Sequence, residues 1–422
     1  MSRIVNDLKS GFFVSLIALP LCLGIALASA CPPVAGIITA IVGGLLVSFI
    51  GGCQLSIKGP AAGLIIIVLG AVLDLGAGDA ALGYRRMLAV AAVAALLQIV
   101  FALLKAARFG RLMPPSIIHG MLSAIGIIII AKQIHVLVGA TPHGKTPLAL
   151  ISEIPNSLFA MNPELAFIGL FALALMVLLP LIPNRRLKAA PEALIALLVV
   201  VPIGLYWHLD VTHNYIFLDH VYSIGPEYLV NLPKSLLTSF VWPDFSVLSQ
   251  AAAYKYILSF ALVGSIESVL TVIAVDSITK TTSNLNRDLL GIGVGNFLCA
   301  LIGGLPMIAE VVRSKANVDS GAASRLANFF HGVFLLLFVS LLAPIIKAIP
   351  LAALAAMLMV VGLRLASISQ FRHIFAMGAD QFAVFLLTLV VTVAEDLLIG
   401  ILAGSALNMS FYLIRRIRLS PP

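Results

Sequence analysis

The chain of 422 residues is 61% hydrophobic and only 10% charged, with a mean hydropathy of +1.12. Soluble domains carry roughly 25% charged residues, so this composition cannot cover a water-facing surface. It excludes a soluble enzyme, a disordered chain and a nucleic-acid partner, and the net charge of +8 is to be read against a lipid bilayer.

A spanning helix needs about 20 apolar residues. In chain order such runs cover 9–30, 33–52, 60–76, 84–105, 114–138, 164–183 and 190–208. After a polar interval they resume at 253–277, 288–304, 306–317, 325–347, 349–366, 381–398 and 399–414. The expectation is an all-α membrane protein of about fourteen spans, two of them short, beginning at Pro60 and Pro306.

Basic residues cluster between runs: Lys105, Arg108 and Arg111; Arg185, Arg186 and Lys188; Arg415, Arg416 and Arg418. With both termini in the cytoplasm every cluster falls inside, the positive-inside arrangement of a multi-pass protein of the inner membrane. The segment 209–250 then lies outside, carrying Asp210, Asp219, Glu227 and Asp244 against Lys234. A short strand from Tyr215 to Leu218 and an interfacial helix are expected within it. The chain thus divides into a first repeat, 1–208, the extracytoplasmic connection, 209–250, and a second repeat, 251–422.

The repeats are traceable by spacing. Gly11 precedes Pro60 by 49 residues, and Ile257 precedes Pro306 by 49. Seven spans per repeat is an odd number, so the halves must be inverted relative to each other. Short, Gly/Pro-interrupted segments at corresponding positions of two halves point to a transport site. Helices that begin in mid-membrane aim free N–H groups and partial positive charge into the centre, which suits an anion.

Charged side chains within spans are costly and mark pathways or partners. Glu267 lies mid-span with Thr271 at i+4 on the same helical face, oxygen ligands suited to a small hard cation or to an exchangeable proton. Glu310 and Arg313 follow Gly303-Gly-Leu-Pro306, three residues apart and hence neighbours if helical. Arg313 would add positive potential to an anion cavity, and Glu310 would carry a proton or balance charge. Lys58, in Gln54-Leu-Ser-Ile-Lys-Gly-Pro-Ala-Ala-Gly63, either faces the cavity or snorkels to water. His119, Lys132 and His331 read as solvated or hydrogen-bonded groups near helix ends, and Glu395 and Asp396 as hydrated turn residues.

The stretch Gly139-Ala-Thr-Pro-His-Gly-Lys145-Thr146 matches GxxxxGK[ST], but a phosphate loop must leave a strand and this one leaves a spanning run. HExxH and GxSxG are absent, no nucleophile–base or metal-ligand spacing occurs, and an enzyme is not expected. Four cysteines, Cys22, Cys31, Cys53 and Cys299, form no CxxC pair.

The chain resembles the membrane domain of the SulP (sulfate permease) family from end to end. Asp7-Leu-Lys-Ser-Gly with Ala18-Leu-Pro-Leu-Cys-Leu-Gly-Ile-Ala-Leu-Ala28 is similar to the family's first span, and Gln54 to Gly63 to the start of its third. Asn284-Leu-Asn-Arg-Asp288, Gly303-Gly-Leu-Pro-Met307 and Val312-Arg-Ser-Lys-Ala-Asn317 resemble its signature from the ninth span into the tenth. The wording is nearest the branch linked to carbonic anhydrases. The resemblance implies a seven-plus-seven inverted fold with core and gate domains, alternating access, and an inorganic anion as substrate, bicarbonate or sulfate. It implies an anion site between the starts of spans three and ten, here Lys58, Gly59, Ala61, Ala62, Met307, Ala309, Glu310 and Arg313. Sodium in a bicarbonate-carrying branch is held at positions resembling Glu267 and Thr271, so Na⁺ or H⁺ is the expected coupling ion and no other cofactor is implied. A homodimer in the bilayer is implied too.

Three departures accompany the resemblance. Leu21 stands where the family usually has Gln or Glu, Lys58 replaces a small residue, and the regulatory STAS domain that usually follows is not expected here. The alternatives are a nucleobase or dicarboxylate transporter of the same fold, which Glu267 and Glu310 also resemble, and an uncoupled anion channel.

Overall fold

A computed structural model describes residues 2–142, 144, 146–183, 191–233 and 236–419. Lys145, Arg185, Arg186, Lys188 and Lys234 lie outside the described residues, as do the side chains of Arg111, Arg415, Arg416 and Arg418. Nine of the described helices are long and apolar enough to cross a membrane, and four shorter ones are apolar.

We number the spans 1 Ser2–Ala28, 2 Pro33–Ile50, 3 Ala62–Leu75, 4 Ala80–Leu103, 5 Pro115–Leu137, 6 Pro163–Leu181 and 7 Glu192–Tyr206. The second set is 8 Ala251–Thr279, 9 Leu285–Ile302, 10 Val311–Asp319, 11 Leu326–Leu341, 12 Leu351–Leu365, 13 Ala379–Ala394 and 14 Leu397–Leu419. The run 325–347 does not stay one helix: it ends at Leu341, and a separate short helix covers Ala343–Lys347.

The packing repeats itself with a shift of seven. Span 4 packs on 9 as 11 packs on 2; span 1 packs on 11 as 8 packs on 4. Span 5 packs on 13 as 12 packs on 6, and 6 on 7 as 13 on 14. Span 5 against span 12 is its own mate and lies on the axis. Spans 1–4 and 8–11 therefore form one body, the core, and spans 5–7 and 12–14 the other, the gate. Even the connections correspond. A surface helix, Pro147–Phe159, joins spans 5 and 6, and Ile368–Ala376 joins spans 12 and 13. Both expose large apolar side chains, Phe159 and Leu148 in the first, Ile368 and Phe375 in the second, as helices lying in a bilayer interface do. The GxxxxGK[ST]-like stretch only leads into the first of these: Thr146 caps it, accepting from the Ala149 N–H at 3.3 Å.

The chain is predominantly helical, as expected, with two small two-stranded sheets added. Strand β1, Ile57–Pro60, pairs antiparallel with a strand Met307–Glu310 in the centre of the core. The connection 209–250 contains a hairpin, His213–Phe217 with His220–Ile224, and, among its described residues, short 3₁₀ turns in place of the expected interfacial helix. We call these strands β2 and β3, and Met307–Glu310 β4. Pro60 favours extended backbone at Gly59 within β1, because the residue before a proline is pushed toward that conformation, and β4 begins just after Pro306.

Candidate functional site

Spans 3 and 10 are half-helices, and the short ladder lies immediately before both. Its register sets Ile57 opposite Glu310, Lys58 opposite Ala309, Gly59 opposite Ile308 and Pro60 opposite Met307. Ala61 N–H extends it, donating to Pro306 O at 3.3 Å. Glu310 is therefore the last strand residue and the N-cap position of span 10, not a helical neighbour of Arg313. The two side chains leave the backbone from different elements.

The outer edge of β4 is covered by side chains. Asn296 of span 9 accepts from Met307 N–H at 2.6 Å and donates to Met307 O at 3.1 Å, while its amide also donates to Gln98 of span 4 at 2.8 Å. Ser268 Oγ of span 8 accepts from Ala309 N–H at 3.0 Å. Buried backbone groups must find partners, and a four-residue strand with one neighbouring strand finds the rest on these side chains. Of the anticipated anion donors, the Met307 and Ala309 amides are thus committed to the scaffold. The unpaired amides at the start of span 10 itself remain.

Arg313 is 1% exposed. Its Nη1 lies 3.5 Å from Cys22 Sγ, and its Nε has no partner. The guanidinium rests on Gly59, where an added Cβ would stand 2.3 Å from Nη1. Glu267, 6% exposed, has neither carboxylate oxygen hydrogen-bonded. It rests on Gly63, where a Cβ would meet Oε1 at 1.8 Å. Glu310 Oε1 accepts from the Ala62 N–H at 3.3 Å. Two carboxylates therefore converge on residues 62 and 63, at the start of span 3, while the arginine lies against Gly59. Thr271 is buried one helical turn beyond Glu267.

Lys58 points elsewhere. Fully buried, its ammonium lies 3.0 Å from Asp288 Oδ1 and also donates to Ser56 Oγ and Cys53 O. Asp288, in the first turn of span 9, also accepts from Cys53 N–H at 2.9 Å. The structure brings Glu267, Glu310, Arg313, Gly59, Ala61 and Ala62 together and leaves the Lys58 charge on the far side of the ladder.

Of the three weaker candidates, Lys132 is hydrogen-bonded near the end of span 5, as expected, donating to Ala28 O at the end of span 1. His331 is fully buried in span 11 with neither ring nitrogen hydrogen-bonded, and His119 is partly buried with Nδ1 unpaired. Asp396 is not simply hydrated: it pairs with Lys255 at 2.9 Å. Asn296, Gln98 and Ser268 were not anticipated. Their only sequence signal is polarity inside apolar runs.

Two cavities lie along the seam between core and gate. One, of about 520 Å³, is bounded by spans 3, 5 and 8 and the turn between spans 13 and 14, with Asp74, Lys132, Lys255 and Asp396 on its walls. The other, of about 500 Å³, lies toward the opposite face, between Leu262, Ser265 and Val269 of span 8, Met113, and Ser405 of span 14. Half-helices meeting at mid-protein, two bodies of spans and a seam with a cavity toward each face define a membrane transporter of the inverted-repeat class.

The sequence pattern of the sulfate permease family matches residues 4–388, and the chain belongs to that family. It is 28% identical to the bicarbonate transporter BicA of Synechocystis sp., over 96% of this chain and 69% of that one. Among solved structures, the transmembrane domain of a cyanobacterial bicarbonate transporter BicA superposes with a TM-score of 0.81 at 25% identity, covering 96% of this chain and 98% of that one. The murine Solute Carrier 26 family member A9 anion transporter in the inward-facing state shares the fold, with a TM-score of 0.81 at 16% identity, covering 98% of this chain and 69% of that one.

Proposed function

We propose that this chain moves a small inorganic anion, bicarbonate or sulfate, across the inner membrane by alternating access, with the core carrying the anion past the gate. The observation that carries the reading is the meeting of two half-helix N-termini, at Ala62 and Val311, beside the buried and incompletely paired guanidinium of Arg313. Helix N-termini and arginine both favour an oxyanion. Family membership and the likeness to BicA support the same substrate class.

Glu267, with Thr271, holds the coupling Na⁺ or proton. A carboxylate with two unpaired oxygens in a buried position requires a cation or a proton to compensate it, and a neutralised Glu267 lowers the cost of moving charge through a low-dielectric path. Both termini face the cytoplasm in this reading, two copies associate in the bilayer, and a carbonic anhydrase supplies or consumes bicarbonate at the membrane.

Binding of sulfate and of bicarbonate to the purified chain, with Arg313→Gln alongside, tests the site. The reading expects one of the two anions to bind the unmodified chain and the substitution to weaken that anion's binding at least tenfold. Equal binding by both proteins would place the site elsewhere. Binding of uracil or a dicarboxylate, with neither inorganic anion bound, would favour an organic substrate on the same fold.

A further inference from the structure

We propose that the Glu310 carboxylate is a tethered competitor of the transported anion, holding the amide at the start of span 3 until a proton releases it. The inference rests on the anion-site reading above and assigns its proton-dependent step.

The Ala62 N–H belongs to the unpaired first turn of a half-helix, and its acceptor comes from the opposite repeat. Glu310 reaches it from the end of β4, at 3.3 Å. A carboxylate oxygen and an inorganic oxyanion satisfy such a donor in the same way, so one N–H cannot serve both at once. Beside it, Glu267 is nine-tenths buried with both oxygens unpartnered, and Arg313 has an unpartnered Nε. The site therefore holds an occupied amide, an incompletely used guanidinium and an uncompensated carboxylate. Bringing an anion in while both carboxylates are ionised sets like charges together in a medium of low dielectric.

Protonation resolves the conflict. One proton from solvent binds a Glu310 oxygen; the neutral acid releases Ala62 N–H and gains an O–H that can donate to the anion. When the anion leaves, the proton is lost and the carboxylate recaptures the amide. The charged and titratable groups around Glu310 are Arg313 of span 10, Glu267 of span 8 and Cys22 of span 1. Lys58 of β1 and Asp288 of span 9 neutralise each other.

The sign follows. Only the protonated fraction is competent, so apparent anion affinity falls by about tenfold per pH unit above the titration of Glu310. Sulfate is the suitable probe, since it keeps both charges where bicarbonate itself titrates. Sulfate binding is measured by calorimetry on the full chain, on Glu310→Gln and on Glu310→Ala, across that pH range. Hydrogen–deuterium exchange over residues 57–66, without sulfate, is measured in parallel. The expected result is a pH slope in the unmodified chain, a flatter slope with tighter binding at alkaline pH in both variants, and faster exchange over 57–66 in Glu310→Ala, which has no acceptor for Ala62 N–H, with exchange elsewhere unchanged. The same slope in all three proteins overturns the proposal, as does unchanged exchange over 57–66 in Glu310→Ala. Absence of binding of both sulfate and bicarbonate by all three proteins, at every pH, overturns the anion reading itself and is distinct from either result.

Discussion

Gly59 and Arg313 share a space that only one side chain can fill. The guanidinium Nη1 lies where the first carbon of any other residue at 59 would be, 2.3 Å from an added Cβ. The same relation joins Gly63 to the Glu267 carboxylate at 1.8 Å. The glycines of β1 and span 3 thus make room for the charges that the second repeat brings in.

Gly59→Ala is expected to displace the guanidinium and raise KM for the anion about tenfold, equivalent to about 1.4 kcal/mol. Gly63→Ala displaces Glu267 and is expected to change the dependence of uptake on Na⁺ or pH. Uptake kinetics in proteoliposomes separate the two effects, and an unchanged KM in Gly59→Ala would show that Arg313 does not hold the anion.

The Lys58–Asp288 pair joins β1 to span 9 at 3.0 Å with both side chains buried. Removing one member leaves an unpaired buried charge and is expected to cost about 3–5 kcal/mol, whereas removing both is much milder. Thermal unfolding of Lys58→Met, Asp288→Asn and the double variant in detergent should therefore rank the double above either single. If the Lys58→Met chain were as stable as the unmodified one, the pair would have no structural role.

Lys255 of span 8 reaches across the seam to Asp396 in the turn between spans 13 and 14. Their side chains are 48% and 21% exposed, so the pair itself is worth about 0–1 kcal/mol and can open readily. If the core moves past the gate, these residues must separate during each cycle. Lys255→Cys with Asp396→Cys, bridged by a short bis-methanethiosulfonate that forms a disulfide with each cysteine and releases sulfinate, is expected to stop uptake, with recovery on reducing those disulfides. The native cysteines are all buried and should not compete. Full uptake with the bridge in place would contradict relative motion at this seam.

The spans were largely legible in the sequence because each is a local property of some twenty residues. The repeat was legible too, since Pro60 and Pro306 interrupt it at the same place. Glu267 and Arg313 stood out as charges within apolar runs. The nature of β1 and β4 was not legible: hydropathy is the same for an apolar strand and an apolar half-helix, and Ile57 and its partner Glu310 lie in different repeats, far apart in sequence. Reading 306–317 as one helix made Glu310 a neighbour of Arg313, when it is the last residue of a strand. The orientation of Lys58 was hidden for a similar reason, because its partner Asp288 lies in the other repeat. Asn296 and Ser268 could not be assigned before β4 was known to have an open edge.

The most direct test is uptake of labelled bicarbonate and of labelled sulfate into proteoliposomes under an imposed Na⁺ gradient or an imposed pH gradient. The account predicts concentrative uptake of one of these anions under one of these gradients, lost in Arg313→Gln and uncoupled from the gradient in Glu267→Gln. No uptake of either anion by folded protein, or uptake with the same gradient dependence in Glu267→Gln, would contradict it.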